Sequence, residues 1–143
     1  MYEGRVVGKG ELSFESVLKN VKERGLANTG AIASFIGVVR PTSKTGKPVR
    51  KIYVESWREA ANISLNRIAR ELSERPGISS VLIYHFEGEL KVGEDIVYVV
   101  VAGDHRGNVF PVLTEAVERY KRESEIWKKE FFEDGESIWV EEI

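Results

Sequence analysis

The run Ile96-Val97-Tyr98-Val99-Val100-Val101 constrains this chain more than any other feature. Branched side chains restrict χ1 and pack well on a pleated surface, so the run favours a strand over a helix. A strand is expected over residues 95–102 and another over 78–86. The link between them is too short for a crossover, so the two strands must run antiparallel. Val92-Gly93-Glu94 reads as a tight turn within that link, and Glu87-Gly88-Glu89 as a second turn.

The remaining elements follow from periodicity and punctuation. A short strand is expected around Arg5-Val6-Val7. Ser13 looks like an N-cap; Phe14, Val17, Leu18 and Val21 follow at helical spacing, with Gly25 as a stop. Residues 30–39 are small, apolar and β-branched, as in a buried strand, and Arg40-Pro41 ends them. Residues 41–48, with two prolines and a glycine, predict a mobile polar loop. Residues 51–57 alternate, placing Ile52, Val54 and Ser56 on one face and Tyr53, Glu55 and Trp57 on the other. A helix over residues 58–74 carries the stripe Ala61, Leu65, Ile68 and Leu72, and Pro76-Gly77 terminates it. Another helix should start near Asn108 with Pro111 in its first turn and Phe110, Leu113, Val117 and Tyr120 inward. The tail, residues 127–132 and 137–140 around Asp134-Gly135-Glu136, reads as a β-hairpin. The sum is an α+β fold with a mainly antiparallel sheet. No internal repeat or linker interrupts it, so residues 1–143 read as one domain.

Composition narrows the chemistry. The chain has no cysteine, which removes disulfides, thiolate metal sites and cysteine nucleophiles. Any sulfur it handles must arrive on another molecule. The formal net charge of -2 argues against a general nucleic-acid binder. No apolar run approaches the roughly 20 residues that span a bilayer, and the first residues lack a signal-peptide stretch. A soluble, cytoplasmic protein with no membrane partner is expected. Glutamine is absent and methionine occurs only at Met1, while charged residues make up 31%, a balance that suggests a thermophilic source.

Cationic residues stand at the ends of elements. Arg40 follows the 30–39 strand, His105 and Arg106 lie between the strongest strand and a helix start, Lys121 lies near that helix's end, and Lys128 follows seven residues on. The 104–108 loop is the best local anion site: a helix start offers unpaired N–H groups, and arginine can fork two hydrogen bonds onto a phosphate. The competing reading is a solvated turn in which His105 merely fixes the loop. His85, inside a strand, reads as a satisfied sheet residue. Lys121 and Lys128 would share a face only on a continuous helix, and Trp127 is where the hairpin should begin. Core packing or a subunit interface is expected for Trp57, Trp127 and Trp139. A binding module without catalysis, or a structural subunit, remains open on these residues alone.

In combination the motifs resemble one family. The run Gly30-Ala31-Ile32-Ala33-Ser34-Phe35-Ile36-Gly37-Val38-Val39-Arg40 is similar to the opening motif of the molybdopterin synthase large subunit. Gly88-Glu89-Leu90 with Val92-Gly93-Glu94 resembles its central region, and Asp104-His105-Arg106 followed by Phe110 its His-Arg motif. Lys121, then Ile126-Trp127-Lys128-Lys129-Glu130 and Trp139-Val140-Glu141, resembles its C-terminal signature. The chain departs from the family pattern at His85-Phe86, where His-Arg is frequent, and at Glu125, where proline is frequent.

The resemblance implies an α/β hammerhead fold, a homodimer within a heterotetramer, and no resident cofactor or metal. It implies a small ubiquitin-like partner whose C-terminal Gly-Gly thiocarboxylate supplies sulfur to cyclic pyranopterin monophosphate, forming the dithiolene of molybdopterin. By position, Lys121 would be the principal catalytic residue, as a base or transient covalent partner, and Lys128 would assist. Arg40, His105 and Arg106 would hold the phosphate and pterin, with Phe35 packing nearby.

Overall fold

Tyr98 and Val99 are neighbours in the chain and both are buried, but in different hydrophobic layers. A strand sends successive side chains to opposite faces, so a strand apolar at every position must be covered on both. The computed structural model describes residues 1–24 and 27–140 and shows how that is done. Gly25 and Glu141 lie outside the described residues.

The elements are β1 (Tyr2–Gly8), α1 (Phe14–Arg24), β2 (Ala31–Val38), β3 (Val49–Ser56), α2 (Arg58–Ser73), β4 (Ile78–Lys91), β5 (Asp95–Gly103), α3 (Arg106–Glu123), β6 (Ile126–Phe132) and β7 (Ser137–Val140). The strands form a sheet in the order β2-β5-β4-β3-β6-β7, with β1 paired to β4. Among the described residues only the β1–β4 pair is parallel. The α+β architecture, the antiparallel β4–β5 pair and the C-terminal hairpin all match expectation.

Val97, Val99 and Val101 pack in one layer with α2 and α3. Tyr98, Val100 and Ala102 pack in the other with Val17 and Val21 of α1. The expected α2 stripe, Ala61, Leu65, Ile68 and Leu72, is fully buried. Burying each Leu or Ile there contributes about 1.5–3 kcal/mol. α2 also completes the hydrogen bonding of β1: Asn62 Oδ1 accepts from the Val6 N–H at 2.7 Å and Asn66 Oδ1 from that of Gly4 at 3.3 Å. The helix lies so close that a Cβ on Gly4 would stand 2.2 Å from the Leu65 carbonyl oxygen.

Local structure departs from the sequence reading at several points; β2, expected to be buried, is an edge strand with Ile36 and Val38 exposed. Residues 87–89 are not a turn. β4 continues through them, pairing with β5 up to His85 and with β3 from Gly88 onward. Gly88, at φ +96, takes the left-handed conformation that lets one strand serve both parts of the sheet.

The start of α3 is at Arg106, two residues before Asn108, because His105 is the N-cap. Pro111 is therefore inside the helix rather than in its first turn. Its missing N–H leaves the Gly107 carbonyl without a helical partner, which is tolerable because both residues face solvent. Tyr120 is buried as expected and Leu113 and Val117 pack against the core, but Phe110 is 57% exposed, and Val109, Val112 and Ala116 complete the buried face.

Residues 41–48, expected as a polar loop, are closed by their own hydrogen bonds. Val49 N–H donates to Pro41 O at 2.8 Å and Ser43 N–H to Lys47 O at 2.9 Å. Of the two roles expected for the tryptophans the structure removes core packing and leaves the subunit interface, since Trp57 is 65% exposed and Trp127 and Trp139 are about half exposed. Among the described residues no helix is long and apolar enough to cross a membrane.

Candidate active site

The end of β2, the last turn of α3 and the inner face of β6 meet around a cleft of about 450 Å³. Each wall follows from a local rule. β2 ends where Val39 exchanges hydrogen bonds with the 93–94 turn, its N–H donating to Glu94 O at 3.0 Å and its carbonyl accepting from Gly93 N–H at 2.9 Å. Arg40, the next residue, is exposed on the cleft lip.

α3 ends at Glu123, and Ser124 is extended, at ψ 148. The helix therefore does not reach Trp127, as the sequence reading requires. Glu125 fixes the link to β6: its carboxylate accepts from Ser64 Oγ at 2.6 and 2.9 Å, and its carbonyl accepts from Trp57 N–H at 3.1 Å. β6 pairs with β3 so that Lys128 stands opposite Val54, on the inward face, and Trp127 opposite Glu55, on the outward one. Lys121 from a helix and Lys128 from a strand thus line the same cleft. A cation in the last turn of α3 is also favoured by the partial negative charge of the helix C-terminus.

The floor is drier. His85 is 3% exposed, and its Nδ1 lies 2.8 Å from Phe86 O. A carbonyl only accepts, so Nδ1 carries a proton. The ring meets Tyr120 edge-on at 5.7 Å between centroids. His85 is a satisfied sheet residue, as expected, and it also lines the cleft. Phe35, half-buried on β2, contributes to the apolar wall. The charged lining is Arg40, Lys44, Lys121 and Lys128 against one carboxylate, Glu130. A cleft with that excess of positive charge and low-dielectric walls concentrates anions.

Four of the six expected site residues, Phe35, Arg40, Lys121 and Lys128, are therefore gathered in one place. His105 and Arg106 are not. They sit at the opposite end of α3, about 24 Å from Lys121 at 1.5 Å rise per residue. His105 caps the helix there, Nδ1 accepting from the Gly107 N–H at 3.0 Å. Both residues are exposed.

Lys44, Glu130 and the cleft role of His85 are absent from the sequence reading. Strand alternation could have found Glu130, two residues beyond Lys128 on β6. Nothing local marks Lys44.

Residues 7–123 match the family model described as MoaE protein. The chain is 36% identical over 115 residues to the molybdopterin synthase catalytic subunit of Pyrococcus abyssi, covering 80% of this chain and 76% of that protein. The crystal structure of molybdopterin synthase from Staphylococcus aureus superposes with a TM-score of 0.83 at 30% identity, covering 98% of each chain. A chain from the Helicobacter pylori complex of subunits 1 and 2 of molybdopterin-converting factor matches with a TM-score of 0.74, covering 96% of this chain and 90% of that one. At 20% identity that last likeness shows the fold alone. By the match across residues 7–123 and by these relatives, the chain belongs to the MoaE protein family.

Proposed function

We propose that this chain is the catalytic subunit of a molybdopterin synthase, a sulfurtransferase of molybdenum cofactor biosynthesis. It takes sulfur from the C-terminal thiocarboxylate of a small ubiquitin-like carrier and installs it on cyclic pyranopterin monophosphate. The observation that carries this reading is the convergence of Lys121, Lys128 and Arg40 on one cleft. Both substrates bring negative charge, and preorganised cations collect it without reorganising during the reaction. The absence of cysteine fits a division of labour in which the carrier brings the sulfur and this chain brings the pocket.

In this reading Lys121 is the principal catalytic group, as a base or transient covalent partner. Lys128 assists and binds substrate, Arg40 holds the phosphate, and Phe35 packs against the pterin. His105 and Arg106 lie too far from Lys121 to serve the same cleft within one chain. If they hold phosphate, they hold it for a second copy, and a homodimer places each pair at its partner's site. Two such dimer sites, each receiving one carrier, give the heterotetramer.

The test is reconstitution. Purified protein, thiocarboxylated carrier and cyclic pyranopterin monophosphate should yield molybdopterin. No product under conditions in which a molybdopterin synthase of known activity turns over would overturn the assignment.

A further inference from the structure

The cleft contains a fourth cation that neither the sequence motifs nor the proposed roles use. Lys44 lines it, from the 41–48 loop. It is exposed and, among the described residues, makes no ion pair or hydrogen bond. A lysine on a polar loop is ordinarily a solvated charge with no fixed position. This one is different because its loop is held at both its base and its side.

At the base, Thr42 bridges Pro48, and Ser43, only 8% exposed, organises the turn. The Ser43 Oγ accepts from Lys47 N–H at 3.1 Å and lies 2.9 Å from Thr45 Oγ1. Gly46, at φ +84, closes the turn and donates its N–H to Ser43 O at 2.9 Å. At the side, Lys47 reaches the turn between β6 and β7. Its ammonium lies 2.8 Å from Asp134 and 2.5 Å from Glu136, and 4.5 Å from the Phe132 ring centroid. The Glu133 N–H adds a backbone bond to Pro48 O at 3.1 Å. The loop is thereby fastened to the same hairpin that carries Lys128.

We infer that Lys44 is a substrate-binding residue that contacts an anionic group in the cleft, and that Lys47 is the positioning residue that clamps its loop to the β6–β7 turn. This rests on the proposed reaction. The anion is either the phosphate of the pterin or the terminal carboxylate-type group of the carrier. The two share one chemistry, an oxyanion paired with an ammonium.

Steady-state kinetics of Lys44→Ala, with each substrate varied in turn, separates the two sources. KM for one of them should rise about five- to tenfold while kcat stays within about twofold. A rise for the pterin identifies its phosphate; a rise for the carrier identifies its terminus. Lys47→Ala should raise the same KM, Lys47→Arg should restore it, and Lys47→Ala should add little in a Lys44→Ala background. Unchanged KM for both substrates, or a fall in kcat alone, overturns the role of Lys44. Multiplicative effects of the two alanines overturn the clamp. Wild-type protein in the same assay separates the failures. If wild type makes no product, the proposed reaction is wrong. If wild type is active and Lys44→Ala is indistinguishable from it, only this inference falls.

Discussion

His105 and Lys121 lie on one helix but at opposite ends, the first capping the N-terminus of α3 and the second in its last turn. About 24 Å of helix keeps them apart. The proposed shared site then makes a specific demand on mixtures. Assayed at pterin concentrations well below KM, where a raised KM lowers the rate in proportion, Arg106→Ala and Lys121→Ala should each be severely impaired alone. After subunit exchange, half of the dimers are mixed, and each has one intact site of two. Activity should return to about a quarter of wild type. No recovery after exchange, with exchange verified independently, would show that Arg106 does not act across a dimer.

The kinetic signatures of the cations should differ. In the proposed reaction Lys121 acts in the transition state, so Lys121→Ala should lower kcat by about 10²–10⁴. Arg106→Ala should mainly raise KM for the pterin, by about tenfold or more, because the proposed role of Arg106 is a charge-assisted contact with a phosphate that does not react. A fall in kcat with unchanged KM for Arg106→Ala would contradict the binding role.

Acid should weaken the contact between α2 and α3 in a predictable way. Arg119 donates to Glu123 at 2.6 and 2.9 Å and to Glu71 at 2.7 Å. Hydrogen bonding to the guanidinium holds both carboxyls below their ordinary value of 4.5, against a smaller opposing effect of burial. A depressed folded value contributes stability above the unfolded value, and that contribution is lost as pH falls through the folded value. Arg119→Met should therefore lower the melting temperature by a few degrees near neutral pH, a modest effect because the pairs are solvent-screened. The gap from wild type should close below about pH 4.5. A gap that stays constant down to about pH 3 would place the effect in packing instead.

At Gly4, β1 and α2 approach closely. An added Cβ would meet the Leu65 carbonyl oxygen at 2.2 Å, and backbone on both sides leaves little room to yield. Gly4→Ala should cost about 3 kcal/mol, seen as a melting temperature roughly 10 °C lower. An unchanged melting temperature would mean that α2 can slide on β1.

Much of the fold was legible because its causes are local. Ala61, Leu65, Ile68 and Leu72 recur at helical spacing, and all four are buried. The 95–102 strand declares itself by its β-branched content. The misreadings have local causes too. Glu87-Gly88-Glu89 has the composition of a turn, but a single glycine with positive φ also lets a long strand change partners. Pro111 suits a helix start by propensity, yet His105 supplies a side-chain cap further upstream, and packing through Val109, Val112, Ala116 and Tyr120 leaves Phe110 in solvent. The loop at 41–48 looks free because prolines and glycines say nothing of Asp134 and Glu136, almost ninety residues away.

The order and type of the elements, the exclusion of any cysteine chemistry and the residue types able to hold an anion are all legible in the chain alone. Periodicity, punctuation and composition are properties of a chain, readable without its path. Only the tertiary structure decided which of those cations share a space. Arg40, Lys121 and Lys128 converge because a strand end, a helix end and a strand face are packed against one another, and Lys44 lines the same cleft from a loop whose Lys47 pairs with Asp134. His105 and Arg106, adjacent to the strongest strand and next in line for the same site, are carried away by the length of α3. Distance across a fold is set by packing, and no local pattern records it.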